Sequence, residues 1–254
     1  MSDIRLSEKA YRYIHGKLLR GEWAMGRTLS EKGLAEEIGI SRTPLREAIQ
    51  RLAREGFVEQ QPRVGTVVQT FGRDQVIEWF GFLEAIETHA AAAAAANFNG
   101  EVRLVLEQLC RQMESVTEEL PDEAERRVGG LALHRYLDLE AGFHRIMTGL
   151  SSNGLLVEHQ RRMHHLIRFV AIQRHLYTCR MLSDSLAWHR RIVSALTAAD
   201  PNAAASLVSD HLRRTRNQML HWLERSIPPG LDPKTMCQDV LKELDLPAES
   251  WKTS

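Results

Sequence analysis

One short β-hairpin interrupts a chain whose apolar residues otherwise follow a helical period, and this pattern constrains the fold most. Strand-like runs at residues 57–60 and 66–69 flank a turn of sequence QPRVG. Helical periodicity covers three short segments before this hairpin and one long region after it: residues 8–20, 31–38, 42–55 and about 75–225. We therefore predict a mainly α protein, in which three helices and a small β-hairpin precede an all-α bundle of six or seven helices.

The second and third short segments have the local signals of a helix-turn-helix. Ser30 and Ser41 are good N-caps for the two helices, and Gly39 and Gly56 can end them. The tight turn between the helices lets their apolar residues share one face. With the hairpin as a wing, residues 1–70 are predicted to form a winged helix-turn-helix domain. The remaining chain divides into a linker at 71–75, a helical domain at 76–226, and a C-terminal tail at 227–254 that holds a short helix at 234–244.

Basic side chains occupy the places where such a domain meets DNA. Residues 1–70 contain twelve Lys and Arg against nine Asp and Glu, whereas the whole chain has 33 of each. The start of the third helix carries positive dipole that favours phosphate, and an arginine there can reach guanine in the major groove. The predicted contacts to DNA are Lys32, Ser41, Arg42, Thr43, Arg46, Arg63 and Gly65. The alternative is a helix-turn-helix that contacts protein, and Arg51 and Arg54 further along the helix are as consistent with a solvated surface.

These segments resemble the N-terminal domain of the GntR family of transcriptional regulators. The matching stretches are residues 29–36 (LSEKGLAE), 41–48 (SRTPLREA), 52–58 (LAREGFV) and 63–66 (RVGT). The resemblance implies operator contacts by Arg42, Arg46 and the wing at 63–65. The family often has Arg where Lys32 stands, and lysine lacks the bidentate fork, so Lys32 is predicted to contact phosphate.

Three helices of the second region each place metal-competent side chains in an apolar stripe. Glu140 and His144 are one turn apart on a seam that includes Leu133, Leu137 and Met147, and His189 and His211 lie on similar seams. Burying these groups unpaired is costly, and one divalent metal would satisfy all four. The donor set favours zinc, with nickel, iron or manganese as alternatives. A hydrogen-bonded polar core, or a histidine-lined pocket without metal, would also explain the pattern.

The second region resembles the FCD ligand-binding domain of the FadR-type subgroup. The resembling segments are residues 140–144 (EAGFH), 149–153 (GLSSN), 188–196 (WHRRIVSAL) and 210–212 (DHL). In many such domains an acidic residue and three histidines hold a divalent metal, although the family usually has Asp where Glu140 stands. Arg162, His165 and Arg168 are candidates to bind an anionic effector, whereas Glu87 and His89 are attributed to helix packing. The resemblance implies a repressor that binds palindromic double-stranded operator DNA as a homodimer and responds to a small organic acid.

The composition of the chain argues against several other classes of protein. Cys110, Cys179 and Cys237 form no CxxC motif, so neither a disulfide framework nor a thiolate zinc site is indicated. No apolar run approaches the length of a membrane span, and we expect a cytoplasmic protein without membrane contact. A metal-dependent hydrolase in the second domain is the competing function, since three histidines and a carboxylate could activate water. Because the sequence shows no other catalytic motif, we do not expect an enzyme.

Overall fold

The computed structural model describes residues 2–226 and confirms the predicted mainly α fold. The predicted tail at 227–254, with its short helix, lies outside the described residues. The elements in chain order are α1 (Ser2–Leu19), β1 (Thr28–Leu29), α2 (Glu31–Ile38), α3 (Arg42–Glu55), β2 (Val58–Gln61), β3 (Gly65–Val68), α4 (Arg73–Asn97), α5 (Gly100–Glu118), α6 (Gly130–Gly149), α7 (Gly154–Gln173), α8 (Cys179–Thr197) and α9 (Pro201–Ser226).

Local capping sets the limits of α2 and α3, which begin and end where the sequence predicts. The Ser30 hydroxyl accepts a hydrogen bond from the backbone N–H of Gly33 at 3.1 Å, which is an N-cap contact. Gly39 and Gly56 close the two helices in the left-handed region, with φ of 73° and 91°. Buried apolar residues of α2 and α3 pack together with α1, and this packing forms the core of the first domain.

The hairpin belongs to a three-stranded antiparallel sheet with strand order β1-β3-β2. The two-residue strand β1, which pairs Leu29 with Thr66, is absent from the sequence prediction because two residues show no period. At the hairpin tip Gln61 faces Gly65, and both Gly65 and Arg63 have positive φ. The tip therefore turns tightly and projects as a wing.

The second domain is a bundle of six helices, α4 to α9, within the described part of the chain. One face of the alanine run at the end of α4 is buried, namely Ala90, Ala91, Ala94 and Ala95, and α4 packs extensively along α9. Two boundaries differ from the prediction. Helix α4 begins inside the segment expected as a linker, because the Gln75 side chain accepts from the backbone N–H of Gly72 at 2.9 Å. The sequence also predicts a break between helices at residues 178–183, but α8 begins inside it, where the Thr178 hydroxyl accepts from Met181 N–H at 3.3 Å.

Helix α7 is the part of the bundle on which the first domain docks. The Arg162 guanidinium donates to the Glu55 carbonyl at 3.1 Å, and the Gln173 side chain donates to the Trp23 carbonyl at 2.8 Å. The rings of Phe57 and Phe169 meet edge to face at 6.0 Å between centroids. The two domains therefore share polar and apolar contacts along α7.

Within residues 2–226, none of the helices combines the length and the apolar character that crossing a membrane requires.

Candidate DNA-binding surface and histidine cluster

The N-terminal end of α3 faces solvent. Arg42, Thr43 and Arg46 are exposed, while the residues beneath them, including Leu45 and Ile49, are completely buried. Within the described part of the chain, the Ser41 hydroxyl makes no capping hydrogen bond to the first turn of α3. That turn therefore presents N–H groups and positive dipole next to two arginines, an arrangement that suits a phosphate and a base edge.

The other predicted DNA contacts are also exposed. Lys32 lies on the solvent side of α2, and Arg63 and Gly65 lie at the tip of the wing. These placements are compatible with DNA contact by all seven predicted residues, and the contacts themselves stay a prediction.

Glu31, a residue that the sequence analysis did not select, links the wing to α3. One of its carboxylate oxygens lies 3.3 Å from the Arg46 Nε, and the other accepts from the buried Thr66 hydroxyl at 3.2 Å. The Arg46 side chain remains 62% exposed. Glu31 therefore orients Arg46 without removing it from solvent. The sequence does not predict this contact, because Glu31 is the first residue of α2 and lies fifteen residues before Arg46.

The C-terminal half of α3 has different surroundings. Arg51 forms ion pairs with Glu55 at 3.1 Å and Glu8 at 2.8 Å, and its guanidinium lies over the Tyr11 ring at 3.6 Å. Arg51 is therefore engaged inside its own domain, and this end of α3 faces α7.

The four predicted metal ligands come together inside the bundle. Each of Glu140, His144, His189 and His211 offers one donor atom, and these atoms lie within 4.8 Å of one another. The three histidines are at most 2% exposed. The Ser185 hydroxyl donates to Glu140 at 2.7 Å and so holds that carboxylate on its side of the cluster. The polar residues in the apolar stripes of α6, α8 and α9 thus meet at one point in the bundle.

Glu87 on α4 stands behind this cluster and is fully buried. Its two carboxylate oxygens lie 2.6 Å from His144 Nδ1 and 2.6 Å from His164 Nε2. With Nδ1–H donated to Glu87, His144 turns the lone pair of Nε2 toward His189. Glu87 was predicted only to pack between helices. However, Glu87 shares a buried apolar stripe with Leu83 and Ala91, and a polar residue in such a stripe is the signal that identified Glu140.

The pKa shifts follow from burial and from this pairing. Burial alone would raise the pKa of the Glu87 carboxyl, but the two imidazoles outweigh it and leave the pKa well below its ordinary value. Burial depresses the pKa of His189 well below its usual range and that of His211 to about 3. Burial also opposes protonation of His144, but Glu87 raises its pKa overall. His189 and His211 are therefore neutral at physiological pH, which is the form that binds metals.

The cluster fits a divalent cation on two observations. Nε2 of His144 and Nε2 of His189 are 3.1 Å apart, and two imidazoles on one zinc, each about 2.0–2.1 Å from it, have nitrogens about 2.9–3.4 Å apart. In addition, Nδ1 of His211 is buried without a hydrogen-bond partner among the described residues. Three imidazoles and a carboxylate are ligands for zinc, nickel, iron or manganese.

The predicted effector-binding residues on α7 do not join the histidine cluster. Arg162 and His165 face the first domain, where the His165 ring lies 4.9 Å from the His15 ring. Arg168 instead pairs with Asp138 of α6 and lies 3.2 Å from His134 Nδ1. Only the neighbouring His164 points to the cluster among these α7 side chains, through Glu87.

An exposed basic helix end, a wing and a helical domain with a buried polar centre define a DNA-binding regulator of transcription. Residues 6–68 match the bacterial regulatory proteins of the gntR family, and residues 78–214 match the FCD domain. The FCD match alone spans more than half of the chain. The chain belongs to the GntR family, in the group that carries an FCD domain.

Individual relatives agree with this assignment. The chain is 26% identical over 211 residues to the HTH-type transcriptional repressor RspR of Escherichia coli K12, covering 82% of this chain and 86% of the relative. It is 27% identical over 200 residues to the "Probable D-xylose utilization operon transcriptional repressor" of Paenarthrobacter nicotinovorans, covering 79% and 82%. The solved structure of E. coli McbR/YncC superimposes with a TM-score of 0.68 at 19% identity, covering 85% of this chain and 97% of that one. The family and these relatives are regulators rather than enzymes.

Proposed function

We propose that this protein is a metabolite-responsive repressor. It binds a palindromic operator as a homodimer and changes its operator affinity when a small organic acid binds at the histidine cluster. One observation supports the proposal most strongly. The chain combines an exposed basic helix end with a buried cluster of possible metal ligands, and α7 contacts both the winged domain and Glu87 beside the cluster. The name of the relative RspR supports repression. Because its target is bacterial DNA, the protein acts in the cytoplasm.

The DNA interface comprises Lys32 together with the α3 end and the wing. Arg42 and Arg46 enter the major groove, Ser41 and Thr43 contact the backbone beside them, and Arg63 and Gly65 follow the groove with the wing. Lys32 binds phosphate as a point charge. Two such interfaces, about one helical turn of DNA apart, match a palindrome and require two copies of the chain.

An apolar face supports association of the second copy. Phe82 on α4 is 42% exposed and Leu155 on α7 is 67% exposed, and the Phe82 ring lies 6.1 Å from the ring of His159, one helical turn after Leu155. A dimer that covers this face would place α7 near the twofold axis. We expect the Phe82→Glu/Leu155→Glu variant to sediment as a monomer, and an unchanged dimer would exclude this face.

The effector site rests on Glu140, His144, His189 and His211 as the residues that would hold a divalent cation. When bound, the cation would supply positive charge that attracts a carboxylate. Glu87 and Ser185 orient two of the ligands by hydrogen bonds. The burial of the cluster excludes water, so an anion that reaches it gains strongly from the charge.

Helix α7 links the cluster to the first domain. His164 contacts Glu87 on one side, and the next residue, His165, contacts His15 of α1. A shift of α7 on effector binding therefore changes how the winged domain sits on the bundle. The effector favours one of two placements, and the placement sets the operator affinity.

The test measures operator binding by fluorescence anisotropy, with a palindromic fragment from the promoter next to the gene. The cation-loaded protein is titrated with a panel of sugar acids, hydroxy acids and keto acids. We expect one acid to weaken operator binding at least tenfold. His189→Ala/His211→Ala should bind the operator without responding to that acid, while His221→Ala, an exposed histidine on α9, should respond normally. A double variant that still responds fully would contradict the proposed effector site.

A further inference from the structure

A second cavity, separate from the histidine cluster, lies where the winged domain meets α7. Its volume is about 240 Å³. The wall from the first domain consists of Tyr11, Arg51, Arg54, Glu55 and Phe57, and the wall from α7 consists of Glu158, His159, Arg161, Arg162 and His165. Four guanidinium groups against two carboxylates make this cavity basic, although the chain as a whole has no net charge.

The guanidinium groups differ in how far they are already engaged. Arg51 is held by Glu8 and Glu55, and Arg162 donates through Nε to the Glu55 carbonyl. The side chains of Arg54 and Arg161 make no ion pair or hydrogen bond with residues 5–225, the part of the chain whose side chains the structure describes. Two unpaired arginines, one from each domain, thus face the same cavity, and the remaining N–H groups of Arg162 lie beside them.

Three rings that line the cavity pack on a buried histidine, His15, and these surroundings disfavour positive charge. The buried His15 ring packs on Tyr11 at 5.2 Å, on Phe57 at 4.9 Å and on His165 at 4.9 Å. Its Nε2 is buried and has no hydrogen-bond partner in the described part of the chain. Burial lowers the pKa of His15 to about 4 and that of His165 to about 3, and the positive charge of Arg161 contributes to both shifts. An anion in this cavity would relieve the repulsion that these arginines create.

We propose that this interdomain cavity binds a small oxyanion with two or more negative charges, such as a phosphate-bearing or polycarboxylate metabolite. Guanidinium groups recognise such anions by paired N–H donors in a fixed fork. Arg54 of α3 and Arg161 of α7 bind it from opposite sides, and Arg162 contributes its free donors. The anion therefore bridges the two domains.

Bridging gives this site a regulatory consequence, which rests on the proposed function. The C-terminal end of the DNA-reading helix α3 supplies one wall, so a bound anion fixes α3 against the bundle. It thereby biases the placement of the winged domain independently of the histidine cluster. Binding of the anion itself does not depend on DNA recognition and is measurable without an operator.

Calorimetric titration of the full, cation-loaded chain tests the proposal with three probes, namely inorganic phosphate, pyrophosphate and citrate, at matched ionic strength. We expect at least one probe to bind saturably at one site per protomer that is retained in His189→Ala/His211→Ala. The affinity should fall at least tenfold in Arg161→Ala and in Arg54→Ala. The matched controls Arg145→Ala, an exposed arginine of α6, and Arg12→Ala, an exposed arginine of α1, should bind as the wild type does.

The probes and variants separate the outcomes. Tighter pyrophosphate binding assigns a phosphate-bearing ligand, and tighter citrate binding assigns a polycarboxylate. Absence of saturable binding by all three probes would overturn the proposal. Binding that survives Arg161→Ala but is lost in His189→Ala/His211→Ala would also overturn it, because the anion would then sit at the histidine cluster. Operator binding measured without added anion tests the proposed function separately.

Discussion

The two domains of this protein place their polar groups in opposite ways. The winged domain has an apolar core and exposes the arginines that are predicted to contact DNA, whereas the bundle buries Glu87 and three histidines at its centre. Surface side chains can be changed with little effect on folding, but buried polar groups are tied to the packing around them. Substitutions of the functional candidates should therefore change DNA binding without changing stability in the first domain, but change binding and stability together in the second.

Removal of the metal ligands should produce the largest effect and tests the coupled half of this comparison. We expect His189→Ala/His211→Ala, purified without chelator, to contain no divalent cation. A cation at 100 times its Kd adds about 2.7 kcal/mol to the free energy of unfolding. The melting temperature should fall by about 5–10 °C, given a shift of about 2–4 °C per kcal/mol for a chain of this size.

Elemental analysis and thermal unfolding measure these two changes, with His221→Ala as the control. Chelator treatment of the wild type should lower the melting temperature similarly, which separates loss of the cation from loss of packing. If the wild-type protein takes up no zinc, nickel, iron or manganese, the histidine cluster is not a metal site.

Glu87→Gln sharpens the comparison, because it changes a buried group that does not itself bind the cation. The amide cannot accept from both His144 and His164 as the carboxylate does, so His144 loses its orientation. We expect the affinity for zinc to fall by about 10- to 100-fold. Competition titration with a chromophoric chelator measures the affinity, and Glu84→Gln on the outer side of the same helix, where Glu84 pairs with Arg213, is the control. Equal affinities in the wild type and Glu87→Gln would contradict the role of Glu87.

The domain boundary should respond to pH through His15. Its titratable and charged neighbours are Tyr11 on α1, Arg51 and Glu55 on α3, and Arg161, His165 and Arg168 on α7. Burial lowers the pKa of folded His15 to about 4, so between pH 6.5 and pH 4 the unfolded chain binds the proton more readily. The free energy of unfolding should therefore fall as the pH decreases, on the order of 1–2 kcal/mol at pH 5.

Urea unfolding at several pH values measures this effect as the difference between the wild type and His15→Phe. The variant cannot take up that proton, so its stability should decline less steeply below pH 6.5. If the free energy of unfolding depends on pH equally in the two proteins, protonation of His15 does not contribute to the loss of stability.

Lys32→Ala should give the smallest effect and tests the separable half of the comparison. Loss of one phosphate contact weakens binding to every DNA sequence alike and reduces the slope of log affinity against log salt by about one. The melting temperature should stay within about 1 °C of the wild type, since Lys32 is exposed. A change in base preference instead would show that Lys32 reads sequence.

The sequence predicted what local chemistry determines. Helices α2 and α3 have the predicted limits because Ser30, Gly39 and Gly56 act on their own neighbours. The histidines were found because a 3.6-residue period places His189 and His211 among buried apolar residues. These predictions needed no knowledge of which helices meet.

The features that were missed depend on contacts between distant segments. Glu87 lies 57 residues from His144 and 77 from His164, so its role appears only when α4, α6 and α7 pack together. Likewise, Arg162 and His165 are predicted to bind an anionic effector, and domain docking places them beside Glu55 and His15, which periodicity does not show. Local periodicity shows that a side chain is on a buried face, but not which partner it meets there.

The central claim is that the exposed arginines at the start of α3 read operator DNA. Equilibrium binding to the palindromic operator by Arg42→Ala/Arg46→Ala tests it directly. The control of equal charge is Arg12→Ala/Arg20→Ala, with Arg12 on α1 and Arg20 directly after that helix. Each lost base contact costs about 1–3 kcal/mol, so we predict an operator affinity at least 100-fold weaker, with an unchanged circular dichroism spectrum and melting temperature. An operator affinity equal to that of the wild type would contradict the account.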